Sequence, residues 1–304
     1  MKSTLNKERV NKETLVIRLP NWIGDTLMAF PMLIALQRAG VDFICLGHTW
    51  AEDLFSGTDI EVYTSAHIKE SRWCFKFYKA HGFENELLCT NSFSTVLPMR
   101  LAGITTVGYH FLSSRKLHYN DAVHTVENYF DLAKPFIQNR VELSEIQDKI
   151  AIHKSSVDQG EKLIQERINS EYIVICPYAT NLHKGKNKEW PFWQEFCEKY
   201  KGYKIVALVS KDDYERCQIE FPNNIILSSG LSISGYIMRQ AKLVLANDSG
   251  AMHLASFFGA NVIGLFGATE INKTRPWYGH YIVGSNNNFI EADALITDLK
   301  ERGI

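Results

Sequence analysis

The stretch that decides the fold is Thr14–Leu46, TLVIRLPNWIGDTLMAFPMLIALQRAGVDFICL. Thr14–Leu19 is a short apolar run bounded by Pro20-Asn21-Trp22, which reads as a strand ending in a turn. A helix follows from about Gly24 to Arg38 and stops at Ala39-Gly40, and Val41–Leu46 is a second apolar run. Strand, helix and strand in this rhythm predict an α/β chain with a parallel sheet and helices on both faces.

The rhythm continues outward. Ile60–Thr64, Glu86–Cys89 and Thr106–Gly108 read as strands, and Glu127–Phe136 as the helix that closes the first half. Asn139–Ser156 is polar and mixed, which marks a boundary. Beyond it come a helix over Val157–Ile168, a strand at Tyr172–Cys176 and a helix over Pro191–Tyr200. Strands at Lys204–Val209, Asn224–Leu227, Leu243–Ala246 and Val262–Phe266 follow, with helices at Ser232–Ala241 and Ile290–Arg302. We therefore expect two βα domains, residues 1–150 and 151–304, with the terminal helix free to pack back on the first. Ligands bind parallel sheets at the carboxyl ends of their strands, so the expected reaction site is the cleft between the two domains.

Composition narrows the class. A chain of 304 residues can build a large core without a disulfide or metal staple. A formal net charge of -1 gives no field that would select nucleic acid. The six cysteines include no C-x-x-C pair, which argues against a zinc site, and several lie in apolar runs like buried thiols of a reducing compartment. Met1–Glu13 has no apolar core, unlike a secretory signal, and no run is long enough to cross a bilayer. The expected location is cytoplasmic. The segment Lys69–Lys79 mixes aromatic and basic residues, as an anionic membrane surface would favour; the plainer reading is an amphipathic helix covering a core.

Three turns carry candidate chemistry. Leu245-Ala246-Asn247-Asp248-Ser249-Gly250-Ala251-Met252-His253 joins a strand to a helix that Gly259 closes. Asn, Asp and Ser there are ordinary cap residues, but the same turn leaves backbone N–H groups and a positive dipole end suited to phosphate. The loop Pro177–Pro191 carries Thr180, Lys184, Lys186 and Lys188. Its lysines suit a diphosphate or are simply solvated; it is not a Walker loop. Phe266-Gly267-Ala268-Thr269 follows the next strand and falls on the same sheet edge. Together these turns describe a phosphate and nucleoside pocket.

In the first half, Arg18 through Asp25 joins strand to helix with one glycine, Gly24, so no G-x-G-x-x-G fingerprint is present and a dinucleotide-dependent oxidoreductase is disfavoured. Asp25 is either a carboxylate complementing the helix dipole or a general base. His253 lacks companions at metal-ligand spacing, no Asp-x-Asp element is present to hold a metal against a diphosphate, and no G-x-S-x-G elbow is present.

These segments together resemble glycosyltransferase family 9, which contains the lipopolysaccharide heptosyltransferases. The likeness rests on Leu15–Arg18 with Trp22–Met28, on Asn91–Thr95 with Leu101–Ile104 and Gly108-Tyr109, on Lys188-Glu189-Trp190-Pro191, on Asn247–Gly250 with Met252-His253, and on Phe266–Thr269. The segment Asn91–Ile104 is nearer the second heptosyltransferase type. The resemblance implies a GT-B fold of two Rossmann-like domains, acceptor-binding then nucleotide-sugar-binding. It implies inverting transfer of a heptose from ADP-heptose to the lipid A inner core, with no essential metal, no nucleic acid partner and at most a peripheral contact with the inner membrane. By that analogy Asp25 is the base and Lys188 neutralises the departing diphosphate. Thr180, Lys184, Lys186, Asn247, Asp248, Ser249, Gly250, Met252, His253, Gly267 and Thr269 line the donor site. Arg18, Trp22, Gly24, Asn91 and Ser92 face the acceptor. The loop before Lys188 is longer than the family's usual spacing, which leaves Lys184 and Lys186 as alternative phosphate contacts. Another nucleotide sugar, or a non-catalytic binding protein on the same fold, remains the alternative.

Overall fold

A computed structural model describes residues 13–138, 140–179, 187–267 and 270–304, with Asn287 as backbone only. The chain divides into two compact units, Met1–Asp148 and Lys149–Ile304.

The first unit holds a six-stranded sheet. Its strands are β1 (Leu15–Arg18), β2 (Phe43–Gly47), β3 (Val62–Thr64), β4 (Asn85–Leu88), β5 (Thr105–Gly108) and β6 (Arg115–Lys116). Their order is β3-β2-β1-β4-β5-β6 and every pair is parallel. The chain runs from β1 out to β3 and then returns to the other side of β1. That reversal between β1 and β4 opens a crevice at their carboxyl ends, the place where such sheets hold ligands. On one face Val16, Ile44, Leu46 and Leu88 pack with the helices Ser71–His81 and Phe93–Ala102. Residues of the opposite pleat, Ile17, Cys45 and Leu87, are fully buried. Helix Ser71–His81 turns Cys74, Phe77 and Tyr78 inward and leaves Arg72, Lys76 and Lys79 exposed, so the aromatic and basic segment is an amphipathic helix covering a core.

The second unit repeats the plan with β7 (Tyr172–Cys176), β8 (Lys204–Leu208), β9 (Ile225–Leu227), β10 (Val244–Asn247), β11 (Val262–Phe266) and β12 (His280–Val283). The order is β12-β11-β10-β7-β8-β9, again parallel throughout, so its reversal lies between β7 and β10. Its core joins Ile173, Ile175, Leu245, Ile263 and Leu265 to Trp190, Trp193 and Phe196. The terminal helix Ala292–Glu301 adds Ala292, Leu295, Ile296 and Leu299 to the same core. The apolar stripe of this helix is thus engaged in the core of the second unit.

Other departures from the sequence reading have local causes. The helix expected over Gly24–Arg38 is two, Ile23–Met28 and Phe30–Arg38, because Pro31 has no N–H to donate to the carbonyl four residues back. The helix expected from Val157 begins at Lys154, where His153 caps it by accepting from the Ser155 N–H at 3.2 Å; histidine is not a usual cap signal. That helix ends in a π turn over Ile164–Ile168. Edge strand β12 has an exposed His280 and Tyr281 and therefore no apolar run to reveal it.

Candidate functional site

In the second unit the site is organised by Asn247, the last residue of β10, which is fully buried. Its Oδ1 accepts from the Trp190 backbone N–H at 2.8 Å and from the Trp193 indole Nε1 at 3.2 Å. Its Nδ2 donates to the Pro177 carbonyl at 2.8 Å and the Cys176 carbonyl at 3.4 Å. The carboxamide thus uses both faces of its hydrogen-bonding capacity, and it ties the end of β7 to the segment before helix Trp193–Lys199. That tie places Lys188, two residues before Trp190, against Asp248. Lys188 Nζ lies 2.9 Å from Asp248 Oδ2 and donates to the Asp248 carbonyl at 3.4 Å. The lysine side chain is 17% exposed and the aspartate 5%.

This arrangement corrects the helix-cap reading of Asn247-Asp248-Ser249. Asn247 braces two segments, Asp248 pairs with Lys188, and Ser249, although it occupies the cap position of helix Gly250–Phe258, makes no capping bond. The Ser249 hydroxyl is buried with no hydrogen-bond partner among the described residues. Among the described residues, a nine-residue helix therefore presents its positive end, with no hydrogen bond from its cap residue Ser249, beside a lysine at the carboxyl ends of β7 and β10. Gly250 is half-buried at that end.

Three other expected donor residues are buried. Met252 has no exposed surface; its Sδ fills the space over Gly264, where a Cβ would lie 2.6 Å away. His253 is 3% exposed, inside the same helix. Gly267 is buried because the Phe289 ring stands where its side chain would be, 2.7 Å from a Cβ. Thr180, Lys184, Lys186 and Thr269 lie outside the described residues. Among the described residues no group of three His, Cys, Asp or Glu side chains is placed to hold a metal ion.

In the first unit the turn after β1 and the turn after β4 flank the chain reversal on one sheet edge. They bring Trp22, Gly24 and Asp25 to the same edge as Asn91 and Ser92. Trp22 is 54% exposed, and Lys69 Nζ lies 5.8 Å from its ring centroid. Asp25 is half-buried in the first turn of its helix and accepts from the Tyr129 hydroxyl at 3.5 Å. Burial and the neighbouring Asp25 hold the Tyr129 phenol well above its ordinary pKa, so it remains a donor. Asn91 is exposed, and the Ser92 hydroxyl bonds Thr95 Oγ1 at 2.7 Å. No short motif marks Tyr129 in the sequence; it meets Asp25 only through the fold.

Arg18 lies beneath this edge and has no exposed surface. Its Nη2 donates to Asn21 Oδ1 at 2.8 Å and to the Ile68 carbonyl at 3.4 Å, and its Nη1 donates to the Leu19 carbonyl. It braces the turn that carries Trp22–Asp25; the acceptor-facing position expected for it is corrected by its burial. Below it, Glu86 is buried in β4 and accepts from the Tyr78 hydroxyl at 2.5 Å. Burial pushes the Glu86 carboxyl up to about 8, against the opposing effects of Tyr78 and Arg18. Burial also lowers the Arg18 pKa, while Tyr78, Cys74 and Glu86 act the other way.

The sequence model of glycosyltransferase family 9 (heptosyltransferase) matches residues 87–298. Lipopolysaccharide heptosyltransferase 2 of Escherichia coli K12 is 24% identical over 300 residues, covering 84% of this chain and 83% of that protein. The structure of E. coli ADP-heptose lps heptosyltransferase II superposes with a TM-score of 0.77 at 18% identity, over 95% of this chain and 98% of that one. A glycosyl transferase family 9 structure from Veillonella parvula gives a TM-score of 0.81 at 16% identity, over 96% and 97%. The likeness spans both units and assigns the chain the GT-B fold class.

Two outcomes test the geometry. Asn247→Ala strands the Trp190 and Trp193 donors and the Pro177 acceptor and is expected to cost about 2–4 kcal/mol in urea unfolding. A loss below about 1 kcal/mol would show that the brace is dispensable. Glu86 has its folded pKa raised above the unfolded value, so its contribution is complete below pH 4.5 and is lost as pH rises through about 8. Glu86→Gln should therefore flatten the decline in stability between those limits; an unchanged slope refutes the assignment.

Proposed function

Because this chain belongs to glycosyltransferase family 9, the heptosyltransferase family, we propose that it transfers a heptose from ADP-heptose to the lipopolysaccharide inner core with inversion at the anomeric carbon. It is a transferase enzyme by family. The observation that carries the reading is the Lys188–Asp248 pair beside the start of helix Gly250–Phe258, to which Ser249 gives no capping bond, at the β7/β10 reversal. The relatives named for lipopolysaccharide heptose transfer, and the solved protein named for ADP-heptose, supply the sugar and the nucleotide.

In this mechanism Asp25 takes the proton from the acceptor hydroxyl as that oxygen attacks the anomeric carbon. A positioned carboxylate contributes about 10²–10⁴-fold to such a step. The Tyr129 hydroxyl, hydrogen-bonded to Asp25 Oδ1, orients the carboxylate. Inversion follows from attack on the face opposite the leaving diphosphate. The bond to the diphosphate oxygen breaks, and negative charge grows there. Lys188 and the N–H groups of helix Gly250–Phe258 stabilise it, so no essential metal or nucleic acid enters the scheme. Trp22, Gly24, Asn91 and Ser92 receive the acceptor sugar, and Arg18 holds their turn from below.

We assign the enzyme to the cytoplasm, in peripheral contact with the inner membrane. Among the described residues no helix is long and apolar enough to cross a membrane. Trp22, Phe93 and Phe111 are exposed at 54%, 54% and 68% around the carboxyl edge of β1, β4 and β5. His110 links the last two, its ring 6.3 Å from Phe93 and 4.5 Å from Phe111. Aromatic rings of this kind settle at the headgroup boundary. Serine at Phe93 and Phe111 should reduce co-sedimentation with anionic phospholipid vesicles; equal recovery of variant and wild type removes the membrane assignment.

Titration calorimetry and a transfer assay test the activity. Wild type should bind ADP and ADP-heptose and glycosylate a lipid A-core acceptor. Asp25→Asn should leave ADP affinity within about twofold and lower transfer by about 10²–10⁴-fold. Donor binding without transfer by wild type favours a binding module, and failure to bind either nucleotide overturns the donor reading.

A further inference from the structure

Lys188 is fastened from a second direction, by helix Tyr214–Glu220, which carries none of the motifs singled out in the sequence. Arg216 holds Glu189, the residue next to Lys188, with both terminal nitrogens: Nη1 to Oε1 at 3.2 Å and Nη2 to Oε2 at 3.0 Å. Its Nε donates to Glu220 Oε1 at 2.9 Å. Its guanidinium carbon stands 4.2 Å from the centroid of the Tyr178 ring. The Tyr178 hydroxyl in turn donates to Glu220 Oε2 at 2.8 Å, and the Ala179 N–H donates to Glu189 Oε1 at 3.3 Å. One guanidinium therefore joins Tyr178 and Ala179, at the end of β7, to Glu189, ten residues on in the case of Ala179.

Glu189 is clamped in this way on one side of Lys188's peptide unit, and Trp190 is held by Asn247 immediately after it. Asn187 Oδ1 accepts from the Glu189 N–H at 3.0 Å and tightens the preceding turn. The backbone that carries Lys188 is thus fixed by two independent anchors, one from β10 and one from helix Tyr214–Glu220. The first is buried and belongs to the core. The second is half-exposed, with 47% of the Arg216 side chain in solvent. Exposed ion pairs contribute little to global stability, whereas a bidentate fork with a stacked ring restricts direction and distance.

We propose that Arg216 is a positioning residue for the nucleotide-sugar donor: through Glu189 it aims Lys188 at the site of the diphosphate. The inference rests on the donor reading given under Proposed function. A lysine at 216 cannot reproduce it, because an ammonium lacks the fork that spans both carboxylate oxygens and the planar face that stacks on Tyr178.

The test is ADP binding by titration calorimetry at fixed ionic strength, on the full chain, with Arg216→Met, Arg216→Lys, Lys188→Met and the double variant Lys188→Met/Arg216→Met. Arg216→Met should weaken ADP by about 5- to 30-fold while moving the unfolding midpoint by no more than about 3 °C. Arg216→Lys should recover little of that affinity. In the Lys188→Met background the Arg216→Met change should alter affinity by less than about twofold, since the residue it acts through is gone. Hydrogen exchange supplies a second readout: the Ala179 and Glu189 amides should exchange about tenfold faster in Arg216→Met. Wild-type ADP affinity in Arg216→Met, an equal weakening in both backgrounds, or unchanged exchange overturns the proposal. A wild-type chain that binds no ADP overturns instead the donor reading beneath it.

Discussion

The second unit depends on one buried amide. Asn247 closes β10, and its carboxamide holds the end of β7 and the start of the segment leading to helix Trp193–Lys199 at a single point. A parallel sheet whose strand order reverses leaves a gap at that point, because the connections leave toward opposite faces. Backbone groups bordering such a gap need partners, and a neutral carboxamide supplies donors and acceptors without the desolvation cost of a charge. With the gap bridged, Asp248 and Lys188 are brought to 2.9 Å, and the helix beginning at Gly250 starts without a hydrogen bond from its cap residue, Ser249.

The first unit solves the same topological problem with a cation. Arg18 ends β1 at the reversal, and its guanidinium ties the turn after β1 to the carbonyl of Ile68. A buried guanidinium needs hydrogen-bond acceptors, and Asn21 Oδ1 with the Leu19 and Ile68 carbonyls supplies them. Rigid support beneath the edge leaves Trp22 and Asp25 on a turn whose direction is set from below. Each unit thus separates the group that holds the edge from the groups that face outward.

Much of the architecture was legible in the chain. The strands at the centres of both sheets are apolar runs such as Leu15–Arg18 and Tyr172–Cys176, since strands covered on both faces need no polar alternation. Edge strands β6 and β12 escaped because Arg115, Lys116, His280 and Tyr281 are exposed. The site was legible as a set of residues, while the contacts that hold the turn at Asn247 were not. Asn247, Asp248 and Ser249 have the composition of a helix cap, yet none of them caps, because partners more than fifty residues away claim Asn247 and Asp248. The close approach of Phe289 to Gly267 and of Met252 to Gly264 is likewise visible only in the fold.

The sequence by itself determined the α/β class, the two-part organisation, the family likeness and the identity of Asp25, Lys188 and Asp248 as the residues to examine. Local spacing sufficed for these, because apolar period, turn composition and short motifs are properties of neighbouring residues. Only the tertiary structure decided that Lys188 meets Asp248, that Tyr129 reaches Asp25, that Arg18 is a brace, and that Arg216 holds the residue beside Lys188. Those pairings span 27 to 104 positions along the chain or depend on which side of β1 and β7 the returning strand inserts. A hydrogen bond acts over about 3 Å, so its existence is settled by strand order and packing, and no pattern of adjacent residues records it.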